Sequence, residues 1–490
     1  MAESVASSKV DFFPASAAER DYRLLEKVGC EICPPFVNSE KGAPTAAFGK
    51  AEHYDAAPLS GAGCFRVGES GKLFLIGKSE HYHASLGHAF PGYALLEQAK
   101  LLGIPNATHN NTRGYITRLC EKSLIAAANG VSPDGAEIDD IISSEAPHIL
   151  NRVINLETGS VAAEAGIKMM LARFYRFDGT YKSPKYEGRT PVFFVMADDN
   201  GGPEANYHGT SVVAQTFRGL WPELGKTAEE SGAYKVVPVR INDIADFKEK
   251  AAVYNSGKYK TAGFLHELVL MNFGGIRLTD EFIKEAYRVC RETDTPTMCD
   301  EIQSCMWYGG MFLFRKYGLD PDFVIIGKGF PGGNYPASRI LTTAEMDTLP
   351  QFGALVTNGQ EELASLSYLI TMRFALDNAG FIDEMGRFFE DGLRRIGAAH
   401  PTLIARIEGQ GHLGAIHFNS VEVAAAAAGR INARSVDTSA QLYKPHCPPA
   451  ILFKPPLIAD REVIGFMLKV LEEALSELDG ELGAKGSDKI

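Results

Sequence analysis

The sequence predicts an α/β protein built on a mostly parallel sheet with helices on both faces. Two observations carry that class. Short runs rich in Val, Ile and Phe recur at 190–198, 234–240, 262–272, 295–301 and 322–329, each closing on polar residues or glycine, as buried strands do. Longer stretches with helical periodicity separate them. Strands joined through helices are crossover connections, which keep the strands parallel and cover the sheet. The α/β assignment extends over residues 110–345.

Taken in order, the first hundred residues differ, with glycine-rich strand and turn material around PLSGAGCFRVGESGKLFLIG. The run TPVFFVMAD is the first clear buried strand, followed by YKVVPVR and AGFLHELVLMN. In LTDEFIKEAYRVCRETD, Phe282, Ala286 and Val289 share one helical face and Thr279 suits the N-cap. TPTMCDE and DFVIIGKG supply two further strands. Helical runs return after residue 370, in LSYLITMRFALDNAG and FIDEMGRFFEDGLRRIG. GHLGAIHF reads as a strand, and DREVIGFMLKVLEEALSELDG as a closing amphipathic helix.

Composition narrows the function. The 490 residues exceed one small domain and favour two or three. Lys and Arg number 49 against 61 Asp and Glu, a formal charge of −12, and no basic cluster stands out, which argues against nucleic acid as a partner. No apolar run approaches membrane-spanning length, so no membrane is expected. The start MAESVASSKVDFFP lacks the pattern of a signal peptide, and eight cysteines are too sparse for a disulfide scaffold. The expected compartment is the cytoplasm. Cys30 and Cys33 form a C-x-x-C pair without the second pair a zinc site needs, so no metal is expected.

Chemistry gathers at a few positions. Lys328 follows the strand DFVII between two glycines, where an open α/β sheet places its ligands, and a lysine amine there can form a Schiff base. Most lysines merely sit on surface loops. Asp300 and Glu301 end the strand TPTMC, with Gln303 two residues on; a carboxylate there can hold a pyridine nitrogen protonated, or only cap the next helix. Gly159 and Ser160 open a helical run, where free N–H groups and the dipole favour a phosphate, although many helices begin this way. Tyr207, in a loop after a strand, offers a ring to stack on a flat heterocycle, or is an ordinary loop tyrosine.

In this order and spacing, from about residue 50 to 475, the chain resembles the class III aminotransferases, which depend on pyridoxal 5'-phosphate. The resemblance runs through LGHAFP, ETGSVAAEAGIK, NYHGTS, HELVLMNFGG, CDEIQ, GGMFLFRKYGLDPDFVIIGKG and VTNGQEELAS. It implies fold type I: a large domain with a mostly parallel, seven-stranded sheet and a smaller α+β domain. On that pattern residues 1–105 feed the small domain and the dimer interface, 106–370 form the cofactor domain, and 371–490 complete the small domain. Lys328 would hold the internal aldimine and shuttle a proton, Asp300 would pair with the pyridine nitrogen, and Gln303 would reach the ring hydroxyl. Gly159 and Ser160 would bind phosphate, and Tyr207 would cover the ring with His208 beside it. Thr357 matches a threonine that reaches the phosphate from the neighbouring subunit, implying a homodimer with shared active sites.

The departures fall on the substrate side. Val161 replaces the Glu of the common Gly-Ser-Glu-Ala run, Leu268 replaces a proline, and Asn272 stands where an acid is common. Leu452 takes the place of an arginine found in ornithine-type members. His81, Tyr82 and Glu267 are candidate substrate contacts, as are Arg218 and Arg240 for a carboxylate, while packed or solvated roles compete for each. The expected activity is ping-pong transfer of an amino group between an amine or amino acid and a keto acid or aldehyde. Racemase, aminomutase or lyase chemistry, or a non-catalytic role, is the alternative, because all would keep the same cofactor residues.

Overall fold

The computed structural model describes residues 13–442 and 446–487. The chain forms two compact units, a central one from Leu96–Ala379 with residues 446 and 447, and a terminal one from the residues before and after.

In the terminal unit the helix Ala15–Leu25 precedes β1 (Pro58–Ala62), β2 (Phe65–Gly68) and β3 (Leu73–Ile76), an antiparallel meander. Gly63 at φ +56 and Gly71 at φ +77 make its tight turns, the use of glycine that PLSGAGCFRVGESGKLFLIG foreshadows.

The central unit holds β4 (Leu150–Leu156), β5 (Thr190–Met196), β6 (Lys235–Val239), β7 (Tyr259–His266), a short pair β8 (Val269–Leu270) and β9 (Ile276–Arg277), β10 (Thr297–Asp300), β11 (Phe323–Ile326) and β12 (Ser338–Thr343). Seven of these make one sheet in the order β4-β12-β11-β10-β7-β5-β6. All neighbours pair parallel except at β12, which runs against both β11 and β4. All five expected strands are present, though the run at 262–272 is broken after His266 and resumes only as the short β8. The helix Asp280–Glu292 is capped as expected, Thr279 Oγ1 accepting from Phe282 N at 3.3 Å. The core packs Phe193, Val195, Leu265, Met298 and Ile325 of the strands against Ala162, Ala163 and Met170 of the helix Gly159–Leu171. That packing fixes the helix start relative to the strand ends.

The chain then returns to the terminal unit through β13 (Ile404–Gln410), β14 (Leu413–Phe418), β15 (Val436–Asp437), β16 (Ser439–Gln441) and β17 (Ala450–Phe453). β15 joins β3 in parallel, and the others form a sheet in the order β13-β14-β17-β16. The closing helix Arg461–Ser487 carries buried Val463, Met467, Leu471 and Leu475.

Candidate active site

Three adjacent strands of the central sheet end at the chemistry. β7 gives way to Glu267, β10 ends on Asp300, and β11 leads through Gly327 to Lys328. The register sets Cys299 opposite His266 and Asp300 opposite Ile325. Parallel strands side by side present their carboxyl ends on one edge, so three residues far apart in sequence become neighbours. They line one cavity of about 120 Å³ together with Gly159, Ser160, Tyr207, Gly209, Ile302 and Gln303. Seven positions singled out from the sequence meet there: Gly159, Ser160, Tyr207, Glu267, Asp300, Gln303 and Lys328.

Lys328 is half-buried and held at φ +44, a left-handed backbone unusual for a side chain of its size. Burial lowers its amine to about 8, and the negative charges of Glu267 and Asp300 pull the other way. A lysine so placed has a neutral, nucleophilic fraction near neutral pH that a surface lysine lacks.

Asp300 is 2% exposed and accepts from Ile302 N at 3.1 Å through Oδ1. Its Oδ2 lies 2.9 Å from Nδ1 of the buried His208. An ionised carboxylate can only accept, so Nδ1 carries the hydrogen there and Nε2 is left as the lone-pair nitrogen. His208 Nε2 is buried without a hydrogen-bond partner among the described residues. His208 is thus tied to Asp300 as well as standing next to Tyr207. Gln303 donates Nε2–H to Glu267 Oε1 at 2.7 Å, so these two buried side chains form one wall.

The opposite wall suits an anion. Thr158 Oγ1 accepts from Val161 N at 3.4 Å and caps the helix Gly159–Leu171, whose dipole favours an anion at this end. Ser160 Oγ accepts from Thr210 N at 3.0 Å and lies 3.2 Å from Thr210 Oγ1. Gly209 sits at φ +117, where a Cβ would come within 2.6 Å of Ser160 Cα, and a Cβ on Gly159 would overlap the Ile302 side chain. Both glycines hold open space that any other residue would fill. Gly209 and Ile302 escape a reading of the sequence alone; NYHGTS contains the glycine, but only the fold brings it onto Ser160.

Tyr207 is carried by a loop returning from β5. Asn206 fixes that loop, accepting from Met196 N at 2.8 Å and donating to Met196 O at 2.6 Å. The guanidinium of Arg218 lies 5.0 Å from the Tyr207 ring centre, against the ring rather than in the cavity wall. Arg240 is exposed and faces Asp243 at 4.0 Å, the surface pairing that arginines commonly make.

Thr357 is exposed and lies outside this cavity. Its loop is anchored downstream: Gln360 O accepts from Thr108 Oγ1 at 2.6 Å, and buried Glu362 accepts from Ile116 N at 2.9 Å, Thr117 N at 3.1 Å and Thr117 Oγ1 at 2.6 Å. The N-cap of the following helix is Glu361, so Thr357 does not serve as that cap. His81 and Tyr82 belong to the terminal unit, His81 exposed and Tyr82 1% exposed, their rings stacked at 5.1 Å. A larger groove of about 630 Å³ borders Leu119, Leu369, Met372 and Leu376, a mainly apolar lining without the lysine–carboxylate pairing of the smaller cavity.

The donor set fits pyridoxal phosphate: an amine to hold its aldehyde, a buried carboxylate for its ring nitrogen, an aromatic ring for its face, and a glycine-bordered helix start for its phosphate. Comparison with known proteins agrees. The family model for class III aminotransferases matches residues 133–475. An ornithine aminotransferase of Emericella nidulans is 25% identical, over 69% of this chain and 72% of its own length. A putrescine aminotransferase of Pectobacterium atrosepticum is 29% identical over 66% of each. Among solved structures, a transaminase from the marine bacterium Virgibacillus superposes with a TM-score of 0.70 at 15% identity, covering 91% of this chain and 98% of that one. With the match spanning well over half of its length, the chain belongs to the class III aminotransferases, enzymes that use pyridoxal phosphate.

Proposed function

We propose that this transaminase moves an amino group between an amine or amino acid and a keto acid or aldehyde in two half-reactions, with Lys328 as the catalytic base and cofactor anchor. The observation that carries this is the meeting of Lys328, Asp300, Gln303, Tyr207 and Ser160 on one cavity. The bound cofactor supplies an electron sink for the carbanion formed at the carbon bearing the amine. Lys328 Nζ, near neutrality in its free form, takes the proton from that carbon and returns it elsewhere. Asp300, oriented by His208 and Ile302 N, keeps the ring nitrogen protonated. Gln303, held by Glu267, reaches the ring hydroxyl, and Glu267 also faces the substrate. Gly159 and Ser160 hold the phosphate, and Tyr207 covers the ring with His208 at its side.

Thr357 completes the phosphate site of a second copy, making a homodimer with shared active sites. Its exposure on a loop whose far end is anchored by Gln360 and Glu362 supports this. His81 and Tyr82 contact the substrate. The cytoplasm is the proposed compartment, in keeping with eight free cysteines.

The test is a panel of amines and amino acids added singly to the loaded protein. Conversion of the bound cofactor to its amine form by donor alone, reversed by a keto acid or aldehyde, is expected. Product formation with the cofactor never leaving its aldehyde form would assign racemase, mutase or lyase chemistry instead. Borohydride should fix the cofactor to Lys328 and to no other lysine.

A further inference from the structure

Ser79, Glu80, His81 and Tyr82 lie consecutively at φ +47, +51, +58 and +70. None is glycine. A single left-handed residue with a side chain is uncommon, and a run of four makes one turn of left-handed helix, in which every Cβ crowds the following carbonyl. Backbone held in such a state persists only where its surroundings over-determine it, and such states gather at functional positions.

The surroundings here are charged. Arg66, on β2 and 6% exposed, donates to Glu80 through one guanidinium nitrogen and to Asp437 Oδ2 at 2.9 Å through another. Glu80 Oε1 also lies 2.8 Å from His88 Nε2. Burial works against ionising Glu80, but His88 and Arg66 hold its carboxyl below the ordinary range. Asp437 is itself set by the pairing of β15 with β3, opposite Ile76. On the other side of the turn, Ser79 Oγ donates to Lys454 O at 2.5 Å, and the Lys454 ammonium lies 4.6 Å from the Tyr82 ring centre. Tyr82 N and His83 N close the turn onto Lys78 O and Ser79 O at 2.7 and 2.8 Å. Ser79 and Tyr82 are buried while His81 between them is exposed.

We propose that Arg66 is a positioning residue for substrate selection: its bond to Glu80 holds Ser79–Tyr82 left-handed, and the left-handed turn is what displays His81. Relaxation to the ordinary right-handed region would carry Glu80 away from Arg66 and His88 and swing the His81 ring off Tyr82. Substrate selection by this turn rests on the reading that His81 and Tyr82 touch substrate.

The experiment uses the full-length, cofactor-loaded protein with putrescine, L-ornithine and N-acetyl-L-ornithine as probe donors. Arg66→Gln should raise KM for the best of these about tenfold with kcat within about threefold, because the reacting groups are untouched. Adding Glu80→Gly should restore KM to within about threefold, since glycine enters the left-handed region unaided. Amide exchange gives a reading without turnover: the peptide covering Tyr82 and His83 should exchange about tenfold faster in Arg66→Gln and slow again in the double variant. Unchanged exchange and KM in Arg66→Gln, or no rescue by glycine, overturns the proposal. His81→Ala separates the two layers. If it leaves KM unchanged, the substrate contact and the selection role fall together, and exchange alone decides whether Arg66 holds the turn. Should Arg66→Gln not fold, Glu80→Gln against Glu80→Gly makes the same comparison.

Discussion

The cavity wall at Gly159, Ser160 and Gly209 and the turn Ser79–Tyr82 both need backbone in a demanding conformation, and they reach it differently. In the first, glycine does the work: Gly209 takes φ +117, and Gly159 leaves room beside Ile302. Nothing needs to hold a glycine there. In the second, four ordinary residues are left-handed, and Arg66, His88 and Lys454 hold them from outside. A left-handed residue with a Cβ costs roughly 1–2 kcal/mol, so the run of four draws substantially on its neighbours. A glycine-built site tolerates loss of its neighbours but not of its glycines. The turn should behave the opposite way.

The largest effect separates chemistry from both devices. Lys328→Ala should lower turnover by about a thousandfold or more while equilibrium dialysis still finds cofactor bound. Asp300→Asn should follow, losing about a hundredfold in kcat with KM within a few-fold, because the lost charge matters most in the transition state. Near-native kcat would make Asp300 only a partner of His208. Gly209→Ala should cost about 1–3 kcal/mol in thermal or denaturant unfolding and weaken cofactor retention, since alanine at φ +117 is strained and presses on Ser160. A silent Gly209→Ala would end the contrast with the turn.

Smaller effects sharpen it. Cofactor uptake by the cofactor-free protein should accelerate as pH rises through about 8, where Lys328 loses its proton, rather than through the ordinary lysine range. Glu267 raises that value, so Glu267→Gln should move the midpoint down; an upward move would mean the carboxylate does not act on Lys328. Ser160→Ala should be mildest, weakening phosphate retention by about 1 kcal/mol as one hydroxyl is lost.

The same contrast explains what was legible in the sequence. Five central strands announce themselves because each contains an apolar run such as VFFVM, GFL or FVII. β4 and β12 do not: LNRVINL and SRILTT bury Asn151, Asn155, Ser338, Arg339 and Thr342, whose partners lie elsewhere in the fold. Asn155 Nδ2, for example, donates to Gln360 Oε1 at 3.0 Å, across 205 positions. The cavity was legible by residue type, since a lysine, a strand-end acid and a Gly-Ser helix start each have a chemical reason to be there. The link between His208 and Asp300 was not, because it spans 92 positions between a loop and a strand end. The left-handed turn leaves no mark at all: Ser, Glu, His and Tyr in a row are unremarkable until their dihedral angles are known.

Asp300 and Glu301 are neighbours with unlike duties. Asp300 opens on the cavity, while the fully buried Glu301 accepts from Leu313 N at 3.0 Å, Phe314 N at 2.7 Å and Ser304 Oγ at 2.8 Å. Successive residues at a strand end point to opposite sides, so the frame of β10 decides which acid receives which task. Deleting one residue from Thr297–Cys299 would carry Glu301 into the place of Asp300, sending a longer acid into a small cavity, and Ile302 into the place of Glu301, leaving the Leu313 and Phe314 amides without their acceptor. Both acids would then miss their targets in a single step. The acidic doublet therefore acts as a length gauge for the strand, turning a one-residue slip from a gradual loss of fit into an all-or-none failure.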